Sequence, residues 1–182
     1  MSKFTITAGH SDTDPGAVAN GLKEAALAVQ LRDIVASKLR KLGHTVIEDG
    51  EDGKNQPLKT AISLIKGSDK AIEIHFNAAT PTAKGVETIA LPKDKILAQA
   101  LSQTIARELG TSVRGEGGKG WIDQSQSHRG KLGFINAGGL IIEVAFITNQ
   151  LEMDAYQDKF WLVASAIANV LDQWSKGFLR VS

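Results

Sequence analysis

The chain contains no cysteine among its 182 residues. This absence excludes disulfide bonds, cysteine nucleophiles and cysteine-ligated zinc, although it does not identify the cellular compartment. The chain also lacks an apolar run long enough to cross a bilayer, so we expect no stable membrane association. Its 21 lysine and arginine residues form no basic run and the formal net charge is +1, so nothing indicates nucleic-acid binding.

The first residues, Met1 to Gly9, lack the long apolar stretch of a signal peptide and instead resemble a β-strand. We therefore expect synthesis in the cytoplasm, so that a role outside it would require release by another factor. Hydrophobic residues make up 42% of the chain, and no repeat or linker is visible. The composition therefore predicts one globular domain over residues 1–182.

Strand-like and helix-like segments alternate along the chain, which predicts an α/β sandwich with a largely parallel sheet. The predicted strands are Phe4–Ala8, Thr45–Glu48, Ala71–His75, Gly85–Leu91 and Leu140–Ala145. The predicted helices are Lys23–Leu42, Leu58–Lys66, Asp94–Leu109 and a region from Asn149 to about Trp174 with a break near Tyr156. Asp94 and Asn149 are candidate helix caps. The glycine-rich segment 110–133 is predicted to be a long loop.

Glu143 interrupts the apolar run 139–146, which is typical of a buried strand. A carboxylate there would lose much of its hydration, and such groups usually have a partner. Two explanations remain open from the sequence. Either Glu143 points outward from an edge strand, or a cationic group faces it.

Two histidines follow predicted strands: His10 comes just after the first, and His75 ends the strand 71–75. Because ligands of such sheets bind at the carboxyl ends of strands, the two imidazoles could share a metal there. Glu24 continues the apolar stripe of its helix toward the N-terminal end and is a candidate third ligand. Two imidazoles and one carboxylate with an open fourth position form a known catalytic zinc set. Ordinary structural roles for all three residues remain open.

Several segments together resemble the zinc-dependent N-acetylmuramoyl-L-alanine amidase family. They are Thr7–Ala17 with Glu24, then Ile74–Ala78, then Ile142–Asn149 with Glu152. The order and approximate spacing match over nearly the whole chain. The resemblance implies a twisted sheet flanked by helices, with a zinc site at the carboxyl edge of its strands.

The resemblance also implies roles for individual residues. His10, Glu24 and His75 would bind one zinc ion per chain, and Glu143 would be the catalytic glutamate. The segment Gly85–Thr88 resembles the family's strand after the second histidine.

Other residues are weaker candidates. Glu73 stands where the family often has a small polar residue, and it is a candidate acceptor for an imidazole N–H, with a solvated strand acid as the alternative. Glu87 is a second candidate for such a supporting role. Asn77, His128 and Arg129 are candidate substrate-binding residues.

The activity implied by the resemblance is hydrolysis of the amide between N-acetylmuramic acid and L-alanine in peptidoglycan. A monomeric phage lysin, released through holin lesions, fits the expected lack of a signal peptide, and a bacterial lytic amidase is the alternative setting. A zinc peptidase, an iron-dependent oxygenase and an inactive cell-wall-binding relative are alternative functions.

Overall fold

The chain folds into a six-stranded sheet with helices on both faces. The computed structural model describes residues 1–50, 53–127 and 131–179. The strands are β1 Lys3–Ala8, β2 Val18–Ala19, β3 Leu22–Lys23, β4 Thr45–Glu48, β5 Lys70–Asn77, β6 Glu87–Ala90, β7 Trp121–Asp123 and β8 Leu140–Phe146. The α-helices are α1 Glu24–Lys41, α2 Leu58–Leu64, α3 Lys95–Leu109, α4 Gly133–Asn136 and α5 Gln150–Ser175.

The main sheet has the strand order β4-β1-β5-β8-β6-β7. The first four strands in this order run parallel to one another, whereas β6 lies antiparallel to β8 and parallel to β7. Strands β2 and β3 form a separate small hairpin just before α1. The predicted α/β class with a mostly parallel sheet flanked by helices is therefore confirmed.

One face of the sheet packs against the three long helices. Strands β1, β5 and β8 supply alternate apolar residues to this core, and α1, α3 and α5 supply their apolar stripes. Residues of the main core include Phe4, Ile6, Leu31, Ile72, Ile74, Leu101, Leu140, Ile142, Ile167 and Leu171. Strand alternation then turns the intervening residues to the opposite face.

The opposite face is covered by the short helices α2 and α4. Its smaller apolar cluster contains Ala61, Ala71, Ile89, Phe134, Ile135 and Ile141. Further along the same strands, toward their carboxyl ends, the apolar residues give way to Glu73, His75 and Glu143. The sheet therefore carries polar side chains on one face at one end, as expected for a ligand site in an α/β fold.

Helix α5 runs without a break, contrary to the interruption predicted near Tyr156. The Tyr156 ring is buried and packs edge-on against Phe76, with a centroid distance of 4.9 Å. This contact places Tyr156 on the buried stripe of a continuous helix. The predicted cap is confirmed at the start of α5, where the Asn149 side chain accepts a hydrogen bond from the backbone N–H of Glu152.

The segment 110–133 contains more structure than the predicted loop. Strand β7 lies within it and pairs with β6. The indole N–H of Trp121 donates to the backbone carbonyl of Ala90 at 3.1 Å, which holds the strand in place. A three-residue strand among glycines is too short to produce a recognisable alternation, so the sequence does not predict it.

Asp94 occupies the N-cap position of α3 but makes no side-chain capping bond, contrary to the prediction. Its carboxylate instead accepts a hydrogen bond from the Lys70 ammonium at 2.6 Å. A charged partner on β5 therefore replaces the backbone amide as the donor. Among the described residues, no helix is long and apolar enough to cross a membrane.

Candidate metal centre

Three side chains from different parts of the chain converge at the carboxyl edge of the sheet. His10, Glu24 and His75 each offer one ligand atom, and these atoms all lie within 4.8 Å of one another. His10 follows β1, Glu24 begins α1 and His75 lies on β5. The structure thus brings together the three residues predicted to bind metal.

His10 lies in a tight loop with a left-handed backbone, at φ 69°. This conformation is uncommon for a residue other than glycine and often occurs at functional sites. The loop returns on itself through paired backbone hydrogen bonds between Ser11 and Asp14. The Asp14 carboxylate then lies 3.1 Å from His10 Nδ1, which leaves Nε2 at 2.9 Å from Glu24 Oε2.

His75 is held between two carboxylates. Its Nδ1 lies 2.9 Å from Glu24 Oε1, and its Nε2 lies 3.0 Å from Glu73 Oε2. Glu73 precedes His75 by two residues on β5 and therefore shares its face of the sheet. Glu73 thus occupies the position expected for an acceptor of the outer imidazole N–H.

Glu24 is buried and its carboxylate is fixed by the backbone as well as by the histidines. Its Oε2 accepts a hydrogen bond from the N–H of Ala17 at 3.0 Å, and its Oε1 accepts one from the N–H of Phe76 at 3.0 Å. These bonds tie the loop before α1 and the end of β5 to one side chain. Because these bonds fix its position, the Glu24 carboxylate needs little reorganisation to bind a metal ion.

Burial and hydrogen bonding act in opposite directions on the pKa values of the three residues. Burial opposes ionisation of Glu24, but its hydrogen bonds to His10 and His75 outweigh burial and hold its pKa well below the usual range. Burial also lowers the pKa of His75, but hydrogen bonds to Glu24 and Glu73 outweigh this and raise it to about 10. The bond to Glu24 raises the pKa of His10 against the effect of burial.

These residues fit a divalent metal such as zinc. The donor set is two imidazoles and a carboxylate, and each imidazole has its other nitrogen beside a carboxylate that can orient it. Two glycines leave room for the imidazole rings because they carry no Cβ atom. A Cβ on Gly9 would lie 2.3 Å from the His75 ring, and one on Gly16 would lie 2.5 Å from the His10 ring.

Glu143 lies beside this cluster, on the central strand β8. It is 3% exposed and pairs in register with His75 on β5 and with Glu87 on β6. In-register residues on neighbouring strands share a face, so the three side chains form a row across the sheet. The possibility that Glu143 points outward from an edge strand is therefore wrong.

A cleft of about 310 Å³ opens beside the cluster. Its polar wall includes His10, Glu73 and His75, and its apolar wall includes Leu58 and Phe134. The cleft therefore gives a ligand access to the imidazoles from solvent. Its mixed lining suits a ligand with both polar and apolar groups.

The remaining candidates divide into two groups. The Asn77 amide donates to Glu87 at 3.0 Å, and Glu87 also accepts from Arg114 at 2.8 Å, so these residues form one network beside Glu143. His128 and Arg129 lie outside the described residues.

Two residues that contact the candidates, Asp14 beside His10 and Arg114 beside Glu87, are not indicated by the sequence. Asp14 is four residues after His10, and the one available signal was its place in a loop rich in turn-forming residues. Arg114 lies in the glycine-rich segment 110–133, where no pattern distinguishes it from a solvated arginine.

The chain is similar in sequence and fold to several known proteins. A Neisseria meningitidis protein of known structure, assigned as an N-acetylmuramoyl-L-alanine amidase, has a TM-score of 0.87 and 39% identity, covering 97% of this chain and 96% of that one. An N-acetylmuramoyl-L-alanine amidase from Clostridium difficile 630 has a TM-score of 0.80 and 23% identity, covering 96% and 97%.

A Staphylococcus aureus protein assigned as autolysin PH is 26% identical over 192 residues, which is 93% of this chain but 38% of that protein's length. The family model described as N-acetylmuramoyl-L-alanine amidase matches residues 5–173. This match covers more than half of the chain, which therefore belongs to the N-acetylmuramoyl-L-alanine amidase family.

Proposed function

We propose that the chain is a zinc-dependent hydrolase of peptidoglycan, cutting the amide between N-acetylmuramic acid and L-alanine. One observation carries the proposal: His10, Glu24 and His75 converge within 4.8 Å beside the buried Glu143. Membership of the amidase family and the 39% identity to the Neisseria protein support the bond that is cut.

His10, Glu24 and His75 would hold one zinc ion per chain. Zinc in such a site lowers the pKa of a bound water to about 7 and polarises a carbonyl group. Asp14 and Glu73 would each accept the outer N–H of an imidazole, which fixes the nitrogen that faces the centre.

Glu143 would act as the general base and then as the general acid. Its carboxylate would accept the proton of the attacking water and pass it to the nitrogen of the departing L-alanine. The products would be intact glycan and a free stem peptide with a new amino terminus. Burial of Glu143 beside the cluster suits this role, because little water competes there for the carboxylate.

The experiment measures the zinc content of the purified protein and then incubates the protein with murein sacculi as substrate. The proposal expects release of stem peptides that begin with L-alanine, and loss of this release on chelation. Mass spectrometry distinguishes the alternatives, since a zinc peptidase would give shortened stems and an inactive wall-binding protein would give none. Turnover with zinc under anaerobic conditions excludes an iron-dependent oxygenase.

We further propose that residues 1–182 act as a monomeric catalytic domain in cell lysis, reaching the wall after a holin opens the membrane. Similarity to the assigned autolysin supports wall hydrolysis as the chemistry. Expression in a Gram-negative host with and without a holin tests this role. Lysis only in the presence of the holin supports it, and lysis without the holin contradicts it. Light scattering after gel filtration tests the monomer.

A further inference from the structure

Arg114 is held in a fixed orientation beside the row that contains Glu143. Its Nε donates to Glu87 Oε2 at 2.8 Å, and its guanidinium lies 4.9 Å from the centre of the Phe146 ring. A carboxylate on one edge and an aromatic ring beneath fix the plane of an arginine. The orientation of the Arg114 guanidinium is therefore fixed by these two contacts, unlike that of a freely moving surface side chain.

Glu87 is in turn fixed from two sides. Its Oε1 accepts a hydrogen bond from the Asn77 amide at 3.0 Å, while Oε2 accepts from Arg114. The Asn77 amide group therefore reaches from the end of β5 to β6 over the intervening β8. This arrangement places the Arg114 network directly beside the carboxyl end of the strand that carries Glu143.

The guanidinium keeps binding capacity after these contacts are made. The Arg114 side chain is 42% exposed, whereas that of Glu87 is 10% exposed. Nη1 makes a weak contact of 3.4 Å with the carbonyl of Lys84, and Nη2 has no acceptor among residues 1–50, 53–127 and 131–179. The outer edge of the guanidinium is therefore open to a ligand, and this edge matches the fork geometry of a carboxylate.

We propose that Arg114 binds a carboxylate of the substrate peptide, namely the α-carboxylate of the residue that follows L-alanine. The proposal rests on the proposed amidase function and names a determinant of its specificity. Glu87 is two strands away from His75, or about 9–10 Å at the usual strand spacing. An extended peptide advances about 3.3 Å per residue, so the second residue beyond the scissile amide falls within reach of Arg114.

The test compares two substrates that differ in one carboxylate. N-acetylmuramoyl-L-alanyl-D-glutamate has a free α-carboxylate, and the D-isoglutamine form has an amide in its place. The zinc-loaded wild type is expected to prefer the acid in kcat/KM. Arg114→Gln, which can still donate to Glu87, is expected to reduce this preference by roughly 10–100-fold, and Arg114→Lys should restore part of it.

The matched control is Arg107→Gln on α3, where the arginine side chain is 72% exposed. This variant should keep the wild-type preference for the acid substrate. Binding of the dipeptides L-alanyl-D-glutamate and L-alanyl-D-isoglutamine, followed by NMR titration, gives a readout independent of catalysis. Equal binding of the two dipeptides by the wild type, or an unchanged preference in Arg114→Gln, overturns the carboxylate site. Failure to cut either substrate would contradict the amidase proposal instead, even if the protein still binds L-alanyl-D-glutamate more tightly than L-alanyl-D-isoglutamine.

Discussion

His75 and Glu143 lie side by side on the parallel strands β5 and β8, in register and with both side chains on the same face of the sheet. This pairing places a buried carboxylate next to a candidate metal ligand. A general base must lie close to the water it deprotonates, and the register of two strands supplies that closeness without any loop. The catalytic role proposed for Glu143 depends on this relationship.

Glu143→Gln is expected to keep zinc but lose roughly 10²–10⁴ in kcat, because the amide cannot accept the proton. Zinc content by mass spectrometry and turnover of a muramyl peptide measure the two effects separately. Glu108→Gln, on the outer part of α3, is the control and should retain activity. Full activity in Glu143→Gln would show that another group is the base.

Glu73→Gln and Asp14→Asn should each weaken zinc affinity by roughly 10–100-fold, since both carboxylates orient an imidazole rather than bind the ion. Competition with a chromogenic chelator measures the affinity. Asp158→Asn, at an exposed position of α5, serves as the control. Unchanged affinity in both variants would mean that neither carboxylate supports the site.

Zinc binding should release protons. In the metal-free protein the pKa of His75 is raised from 6.5 to about 10, because its bonds to Glu24 and Glu73 outweigh burial. The proton on His75 therefore stabilises the metal-free fold fully below pH 6.5, and this contribution is lost as the pH rises through about 10. Because zinc needs the neutral imidazole, its affinity should rise with pH by up to about tenfold per unit for each proton displaced.

Calorimetry in buffers of different ionisation enthalpy counts the protons released on zinc binding. At least one proton per zinc is expected at pH 7. A zinc affinity that does not change between pH 6 and pH 8 contradicts this charge assignment.

Gly16→Ala and Gly21→Ala form a matched pair. Both glycines have a left-handed backbone, at φ +65° and +73°, so each alanine should cost about 1–2 kcal/mol of stability. A Cβ at Gly16 would meet His10 and Glu24, whereas one at Gly21 meets nothing within 4 Å. Gly16→Ala should therefore also lose zinc affinity, and a comparable loss in Gly21→Ala would contradict the steric explanation.

Arg32→Met should destabilise the fold by about 3–5 kcal/mol in urea denaturation, since it leaves a buried carboxylate without its cation. The side chains of Arg32 and Asp49 are both 0% exposed and lie 2.9 Å apart. Arg107→Met removes an arginine of α3 whose side chain is 72% exposed, and it should cost less than about 1 kcal/mol. Similar losses in the two variants would argue against a special role for the buried pair.

The sequence predicts the sheet and the long helices because their signals are local. A short apolar run marks β8, and a stripe from Leu27 to Leu39 marks α1. The break expected near Tyr156 was wrong because its ring packs against Phe76, a residue far away in the sequence. The missed strand β7 depends on pairing with β6, which no local pattern reports.

The site is partly visible in the sequence for the same reason. His75 and Glu143 lie within segments that the sequence predicts to be strands, but the position of β8 between β5 and β6, which decides where Glu143 points, comes from strand pairing. Arg114 cannot be found in this way, because its orientation comes from Glu87 and Phe146, which lie on other strands.

The most direct test of the account is a zinc-bound crystal structure with the ion located by anomalous diffraction. We predict one zinc ion held by His10, Glu24 and His75 at about 2.0–2.2 Å, with the Glu143 carboxylate facing its open position. Zinc bound elsewhere, or Glu143 turned toward bulk solvent away from the two histidines, would contradict it.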